Sequence, residues 1–178
     1  MATSTGLAMP RSLKENDFPK FSEVVKSLLA SLPHQSFRVG QNENWPAGHE
    51  RTYATYLVGC SRAAGLNIQA EVSSVHGDAD LVLWLGQQVF IFEFKVAASE
   101  AKSAPKLAAA MQQISDKKYY EPYLHSGKLV HLVGMVFGKT ERNLAALDYE
   151  TLPALQEVVG FFLLADMMVA ATKHPAGS

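Results

Sequence analysis

Two neighbouring stretches place ionisable side chains inside segments that are otherwise apolar. The first is His76–Trp84, with the sequence HGDADLVLW, and the second is Val89–Val96, with the sequence VFIFEFKV. Asp80, Glu93 and Lys95 interrupt these apolar patterns. A buried charge costs several kcal/mol unless a partner offsets the loss of water. Three such residues in one place indicate a site for a cation and for chemistry.

The two stretches are predicted to form a β-hairpin that brings the acids together. Strand alternation puts Glu93 and Lys95 on one face, roughly 6.6 Å apart along the strand. Gly86 and Gln87 suit a two-residue turn with glycine first, which sets Asp80 opposite Glu93. Opposed carboxylates lie about 4.5–5.5 Å apart at Cβ and repel each other when both are ionised. A divalent metal would turn that repulsion into binding, because Mg²⁺ takes one or two carboxylates with water and phosphate oxygens.

A purely structural interpretation of these three residues stays open. Asp80 could begin a strand after a turn, and Glu93 with Lys95 could form a solvated edge ladder. That interpretation suits the trio less well, because both strands are apolar on both faces elsewhere. Such strands are predicted to be central and covered.

The trio and the hairpin between its members resemble the hallmark of the PD-(D/E)XK nuclease superfamily. The strings GDAD and IFEFK are most similar to a bacterial branch often found C-terminal to an ATPase-like domain. That branch typically carries an arginine two residues before the first acid, where this chain has Asp78. The resemblance extends from about Phe18 to about Leu147.

The resemblance implies a metal-dependent nuclease that hydrolyses phosphodiester bonds of nucleic acid, with DNA favoured. Asp80, Glu93, Glu50 and the backbone carbonyl of Phe94 would hold Mg²⁺ or Mn²⁺. Lys95 would orient or help deprotonate the attacking water and neutralise charge on the phosphate. Two alternatives stay open: a catalytically silent relative that binds nucleic acid or a protein partner, and a toxin-like effector nuclease held by an inhibitory protein. An ATPase partner is implied by the branch alone.

A helix is predicted to open at His49 and Glu50 and to run to a glycine stop at Gly65. Glu50 falls on its inward face together with Tyr53 and Leu57. The resembling family carries a metal-assisting acid at this helix start, and Glu50 matches it. The alternative is an acid in the first turn that complements the helix dipole.

A second helix is predicted from Ser103 to about Tyr120. On a helical wheel Lys106, Gln113 and Lys117 lie within about 40° of each other. The resemblance implies that Gln113 reaches the site or the substrate and that the lysines meet phosphates. The lysines could instead form a solvated charged face, and the tyrosines after the helix are predicted to serve packing.

The overall pattern predicts one nuclease-like α/β domain over residues 18–172, with disordered segments at 1–17 and 173–178. The predicted order is α-α-β-β-β-α-β-α. The resemblance implies a restriction-endonuclease-like core, a mixed central sheet of about four to five strands flanked by helices on both faces. The last helix, 155–172, is extra to this core and shorter than the ~20 apolar residues of a bilayer span. It is predicted to pack on the sheet or, alternatively, to form a homodimer.

Composition is consistent with one core and limits the kind of partner. The chain has 178 residues and 48% hydrophobic content, which is enough for a core of ordinary size. Cys60 is the only cysteine and no secretion leader is recognised, so a cytoplasmic protein with no membrane association is predicted. A net charge of −1 argues against a large basic surface for nucleic acid. Basic groups would have to be concentrated at one cleft.

Overall fold

The computed structural model describes residues 2–32 and 46–154. Three helices come first: α1 (Ala2–Lys14), α2 (Phe18–Ala30) and α3 (Pro46–Ala63). They are followed by β1 (Asn67–Ser74), β2 (Gly77–Leu85), β3 (Gln88–Ala97), α4 (Ser103–Lys117), β4 (Leu129–Gly138) and β5 (Asn143–Leu152). Short 3-10 helices at Glu100–Lys102 and Glu121–Tyr123 lie on either side of α4.

The five strands form one mixed sheet in the order β1-β2-β3-β4-β5. Strand β3 pairs with β4 in parallel, and the other three neighbouring pairs are antiparallel. A parallel pair needs a crossover connection, and α4 supplies it between β3 and β4. The mixed sheet and the α/β class predicted from the sequence are therefore confirmed.

Alternation along β3 divides the hydrophobic core into two layers. Phe90, Phe92 and Phe94 face the layer that contains α1, α2 and α3, and each is at most 2% exposed. Val89 and Ile91 face the opposite layer, where they pack with Ile114 of α4. Burying such side chains contributes about 1.5–3 kcal/mol each. Helices on both faces are what these apolar strands require, as predicted.

The hairpin between β2 and β3 has the predicted register. Leu85 pairs with Gln88, Trp84 with Val89, and Val82 with Ile91. Gly86 has a φ of 59°, which glycine adopts without the steric cost that a side chain would add. The turn residues therefore determine which side chains of β2 and β3 share a face.

Helix α2 begins where the sequence supplies a cap and continues as an amphipathic helix. The side chain of Asp17 accepts a hydrogen bond from the backbone N–H of Lys20 at 2.9 Å. Proline is tolerated in the first turn, where its missing N–H costs nothing, and Pro19 lies there. The buried residues recur at helical spacing and cover one stripe: Phe18, Phe21, Val24, Val25 and Leu29.

The prediction of a disordered segment at residues 1–17 is wrong. Helix α1 occupies Ala2–Lys14, and its Met9 and Leu13 are 2% and 1% exposed. These two side chains belong to the core layer that α1 shares with α2 and α3. Packing against partners elsewhere in the chain, which the local composition does not reveal, stabilises this segment.

The predicted order also lacked strand β5. Asn143–Leu152 pairs antiparallel with β4 and forms one edge of the sheet. Its sequence NLAALDYETL contains alanines and acids, and only Leu144 is buried, so it carries no clear strand pattern. The predicted C-terminal helix at 155–172, with the homodimer through it, lies outside the described residues. In the ranges that the structure describes, no helix is long and apolar enough to cross a membrane.

Candidate active site

The backbone pairing between β2 and β3 ends just before Asp80. The ladder between β2 and β3 ends at the Leu81–Phe92 pair, one position before Asp80 and Glu93 would pair. In place of a backbone carbonyl, Oδ2 of Asp80 accepts a hydrogen bond from the backbone N–H of Phe94 at 2.7 Å. The expected backbone pairing of Asp80 with Glu93 is therefore replaced by a contact between a side chain and the backbone.

The neighbouring strand is irregular at the same level. Ala70 pairs with Leu81 and Val72 with Ala79, but the intervening Glu71 makes no such pair with Asp80. Glu71 has a φ of 51°, a left-handed conformation that is uncommon for residues other than glycine. Such positions cost about 1–3 kcal/mol and cluster at functional sites. The chain therefore places its least regular strand geometry beside Asp80.

Glu93 and Lys95 lie on one face of β3, as alternation predicted, and form an ion pair. Nζ of Lys95 donates to Oε1 of Glu93 at 2.5 Å. The side chain of Glu93 is 2% exposed and that of Lys95 is 19% exposed. The second carboxylate oxygen of Glu93, Oε2, is buried and has no hydrogen-bond partner among the described residues. A buried carboxylate oxygen without a hydrogen-bond partner raises the free energy of the fold. A ligand bound to Oε2 would therefore be stabilising.

Burial and a neighbouring negative charge raise the pKa of each of two acids on the sheet. Burial raises the pKa of Glu93 to about 7, with the charge of Asp80 as the next cause, although Lys95 opposes both. Burial also raises the pKa of Asp80, while the N–H of Phe94 and the charge of Lys95 lower it in part. The negative charge of Glu71 adds to the rise at Asp80.

The same environment acts on Lys95 in the opposite sense. Burial by itself would lower the pKa of this ammonium. The hydrogen bond to Glu93 and the charges of Glu93, Glu50 and Asp80 outweigh burial, so the pKa of Lys95 is raised. Lys95 is therefore a cation held within a group of acids.

Helix α3 brings a third carboxylate to this group. Glu50 is half-buried near the start of the helix, on the face that also carries the buried Tyr53 and Leu57. Burial raises the pKa of Glu50, Lys95 lowers it and Asp80 raises it. The backbone N–H of Val96 also lowers the pKa of Glu50 in part. The predicted inward orientation of Glu50 is observed, and it places this acid beside Asp80 and Lys95.

Helix α4 contributes polar groups around the acids. Gln113 is half-buried, and its Nε2 donates to the hydroxyl of Tyr119 at 3.3 Å. Lys106 is exposed, and its charge lowers the pKa of Glu50. Lys117 is exposed at the end of the helix, and its Cδ lies 3.9 Å from the position of a Cβ added to Gly77 at the start of β2. Lys106 therefore lies on the Glu50 side of the site and Lys117 beside the β1–β2 turn.

Sequence reasoning missed two features of the site. Tyr119 packs in the core as predicted, but the charges of Glu93 and Asp80 also raise its pKa, which the sequence did not reveal. Helical spacing could not predict its contact with Gln113, because α4 ends between the two residues, where Lys118 adopts the left-handed conformation. The second feature is an exposed ion pair in which Arg51 donates to Glu71 at 2.9 Å. Pairing over twenty positions of sequence leaves no local signal.

The donor set fits a hard divalent cation. Oxygen ligands from carboxylates suit Mg²⁺ and Mn²⁺, and the unpaired Oε2 of Glu93 is an oxygen of this kind. Within residues 2–32 and 46–154, no group of three or more His, Cys, Asp and Glu side chains is arranged to hold a metal by itself. Mg²⁺ does not require such a group, because it usually keeps several waters and binds one or two carboxylates.

Comparisons with known proteins agree with this geometry. The family model of the PD-(D/E)XK nuclease superfamily matches residues 48–146, which is more than half of the chain. This range contains Glu50, Asp80, Glu93, Lys95 and Gln113. The mixed sheet with its flanking helices is consistent with the restriction-endonuclease-like fold of that superfamily.

The chain also resembles a protein of Azotobacter chroococcum mcd 1 named "Uncharacterized protein in vnfD 5'region". The two are 31% identical over 140 residues, which cover 79% of this chain and 25% of that protein. The matched region therefore spans a quarter of the relative's length.

Proposed function

The chain belongs to the PD-(D/E)XK nuclease superfamily, and on that premise we propose that it hydrolyses phosphodiester bonds of nucleic acid with Mg²⁺ or Mn²⁺. DNA is the favoured substrate. The observation that carries the proposal is the buried carboxylate of Glu93. One of its oxygens is paired with Lys95, and the other has no partner in the described part of the chain.

Asp80 and Glu93 would hold the metal, joined by Glu50 and by the backbone carbonyl of Phe94. Because the three carboxylates do not already form a metal-holding group in the described residues, Glu50 would bind the ion after a side-chain movement or through a water. When bound, the metal supplies a water of lowered pKa and offsets the charge that develops on the phosphate. The raised pKa values of the three acids support this assignment. Burial of an ionised carboxylate is unfavourable when no positive charge lies nearby. A bound cation would supply that charge and favour the ionised form.

Lys95 would act on the phosphate as a cation. Its raised pKa keeps the amine protonated near neutral pH, so it can neutralise negative charge and orient the attacking water through its N–H groups. The ion pair with Glu93 limits the positions that the ammonium can adopt. Service as a base would require this proton to leave first, which the three surrounding acids oppose.

Helix α4 would contribute to substrate binding. Lys106 and Lys117 are exposed on α4, Lys106 near Glu50 and Lys117 beside the β1–β2 turn, and both would meet phosphates of the bound strand. Gln113 would position water or substrate. Cations on this helix would give the substrate path a local positive potential that the net charge of −1 does not reveal.

A cleavage assay tests the proposal. The purified chain would be incubated with single- and double-stranded DNA and RNA in Mg²⁺, in Mn²⁺, and in EDTA. Cleavage is expected with either metal and not in EDTA. Lys95→Ala is expected to reduce the rate about 100-fold or more, because it removes a cation directed at the developing charge.

Lys20→Ala is the matched control for Lys95→Ala. Lys20 also pairs with a glutamate, Glu23, at 2.8 Å, but both side chains are exposed on α2. This variant should cleave at the parental rate. Equal rates for the parent and Lys95→Ala would contradict the proposed role of the site.

Metal titration separates the nuclease from a catalytically silent relative. Mn²⁺ is expected to stabilise the parent, by about 2.7 kcal/mol at a concentration of 100 times its Kd. Asp80→Ala should lose this stabilisation. A parent that Mn²⁺ neither stabilises nor activates would favour a binding module for nucleic acid or protein.

A toxin-like nuclease would show itself in the host cell. Expression of the parent would then kill the cell, whereas Lys95→Ala would not, and an inhibitory protein would restore growth. That partner, an ATPase partner and a homodimer remain predictions from the sequence.

A further inference from the structure

Tyr119 is a buried side chain beside the site to which no role has been given above. It is 4% exposed and lies in the core layer between the sheet and α4. Lys118, with a φ of 47°, turns the chain back at the end of α4 and directs Tyr119 toward β2. The phenol oxygen lies 3.7 Å from the position of a Cβ added to Gly77.

The phenol contacts the site through one hydrogen bond and through charge. Its oxygen accepts from Nε2 of Gln113 at 3.3 Å. Burial raises the pKa of Tyr119, the hydrogen bond from Gln113 lowers it, and the charges of Glu93, Asp80 and Lys95 act on it as well. Gln113 is thus hydrogen-bonded to a phenol whose pKa is affected by the acids of the site.

We propose that Tyr119 is a positioning residue that holds the Gln113 side chain beside the site. The phenol oxygen accepts one N–H of the Gln113 amide at 3.3 Å, and the ring that carries this oxygen is packed in the core. The second N–H and Oε1 make no hydrogen bond within the described part of the chain, so the amide keeps one donor and one acceptor for a ligand. The inference rests on the proposed function, because Gln113 must face a substrate for its orientation to matter.

The position of the side chain decides what Gln113 can reach. With one N–H bound to the phenol, the amide keeps one N–H donor and its carbonyl acceptor, so it can bind a water, a sugar hydroxyl, a base edge or a phosphate oxygen. A free glutamine side chain samples several rotamers, and the hydrogen bond to Tyr119 favours one of them before a substrate binds.

A double-mutant cycle tests this role. Tyr119→Phe keeps the ring packed but removes the hydroxyl, so the Gln113 side chain is no longer held in one position. Loss of one neutral hydrogen bond is expected to lower kcat about threefold to tenfold with KM little changed. In the Gln113→Met background the same change should have no further effect, since the group that Tyr119 positions is already gone. Tyr120→Phe, next in the chain, is the matched control and should cleave like the parent.

An equal loss of kcat from Tyr119→Phe in both backgrounds would overturn the proposal, because it would assign Tyr119 a structural role independent of Gln113. An unchanged kcat in the parental background would overturn it too.

A spectroscopic measurement tests the hydrogen bond without catalysis. The side-chain amide resonances of Gln113 in the metal-free protein can be assigned by their loss in Gln113→Met. They are expected to shift in Tyr119→Phe and to stay in place in Tyr120→Phe, and unshifted resonances in Tyr119→Phe would overturn the proposal. If the parent cleaves no nucleic acid with any divalent metal, the proposed function fails, whereas these resonances still decide whether Tyr119 orients Gln113.

Discussion

At the scale of single residues, the site is a buried carboxylate whose surroundings favour its neutral form. Glu93 is 1% exposed, with one oxygen on Lys95 and the other unpaired in the described residues. Its pKa of about 7 shows that the ion pair does not offset burial and the charge of Asp80. The metal-free fold therefore carries a free-energy cost that a bound cation would relieve.

Glu93→Gln is expected to stabilise the metal-free protein while it abolishes cleavage. The pKa of Glu93 rises from 4.5 to about 7 on folding, so the ionised form costs up to about 3 kcal/mol above pH 7 and nothing below pH 4.5. A neutral amide removes that cost. The gain in Tm should grow between pH 4.5 and 7 and stay constant above, as thermal unfolding in EDTA would measure.

Glu23→Gln is the control for this change, because Glu23 is exposed and also pairs with a lysine. Its Tm should differ little from that of the parent at every pH. A lower Tm for Glu93→Gln at pH 8 would mean that the ion pair with Lys95 stabilises the fold.

At the scale of elements, close contact between α4 and β4 positions the polar groups of the helix. Gly134 of β4 pairs with Glu93 of β3, and a Cβ on Gly134 would lie 2.9 Å from Sδ of Met111 and 3.4 Å from Cβ of Ala110. Only a residue without a side chain lets the helix approach this closely. Gly134 therefore controls the distance from α4, with its Gln113, to the acids on β3.

Gly134→Ala is expected to destabilise the protein by about 1–3 kcal/mol, because overpacking must displace Met111 or the helix. Cleavage should fall with it, since Gln113 moves with α4. Gly59→Ala in α3 is the matched control: nothing lies within 4 Å of its added Cβ, and alanine favours the helix by about 0.5–1 kcal/mol. Urea unfolding would measure both, and a loss of stability in Gly59→Ala as large as that in Gly134→Ala would refute the packing argument.

At the scale of the whole molecule, the buried His131 and the acids of the site make the free energy of unfolding depend on pH in opposite directions. Burial lowers the pKa of His131 to about 4, and this ring is 1% exposed between Thr151 and Gln88, at 2.9 and 2.7 Å. The acids of the site have raised pKa values instead. Acid therefore destabilises the fold through His131 and stabilises it through the site.

His131→Phe separates these two contributions. Between pH 6.5 and about 4 the unfolded chain binds a proton at His131 that the folded chain does not, so the parent loses stability as the pH falls. The difference between the ordinary pKa of 6.5 and the folded value corresponds to about 3 kcal/mol. The variant should lack this loss in unfolding curves from pH 7.5 to 4. Parallel curves for the parent and the variant would contradict the assignment.

Much of the site could be predicted because its signals are local. Alternation put Glu93 and Lys95 on one face, the turn at Gly86 determined the register, and helical spacing turned Glu50 inward. The resemblance added Gln113, which lies beside the site but is attached to Tyr119. The roles of these residues in metal binding and catalysis remain predictions for experiment.

The features that were missed depend on residues distant in sequence. Helix α1 is ordered by core partners in later elements, and β5 is a strand because β4 pairs with it. Neither segment carries enough periodicity of its own to reveal this.

The amino-acid sequence alone determined the β2–β3 hairpin, the placement of Glu93 and Lys95 on one face of β3, and the family, because each follows from residues within one or two turns or strands. Only the tertiary structure decided that the β2–β3 pairing ends just before Asp80, that one oxygen of Glu93 stays unpaired in the described part of the chain, and that Tyr119 holds Gln113. Burial and pairing between elements depend on contacts among residues that are distant in the sequence. The periodicity of one helix or strand carries no information about such contacts.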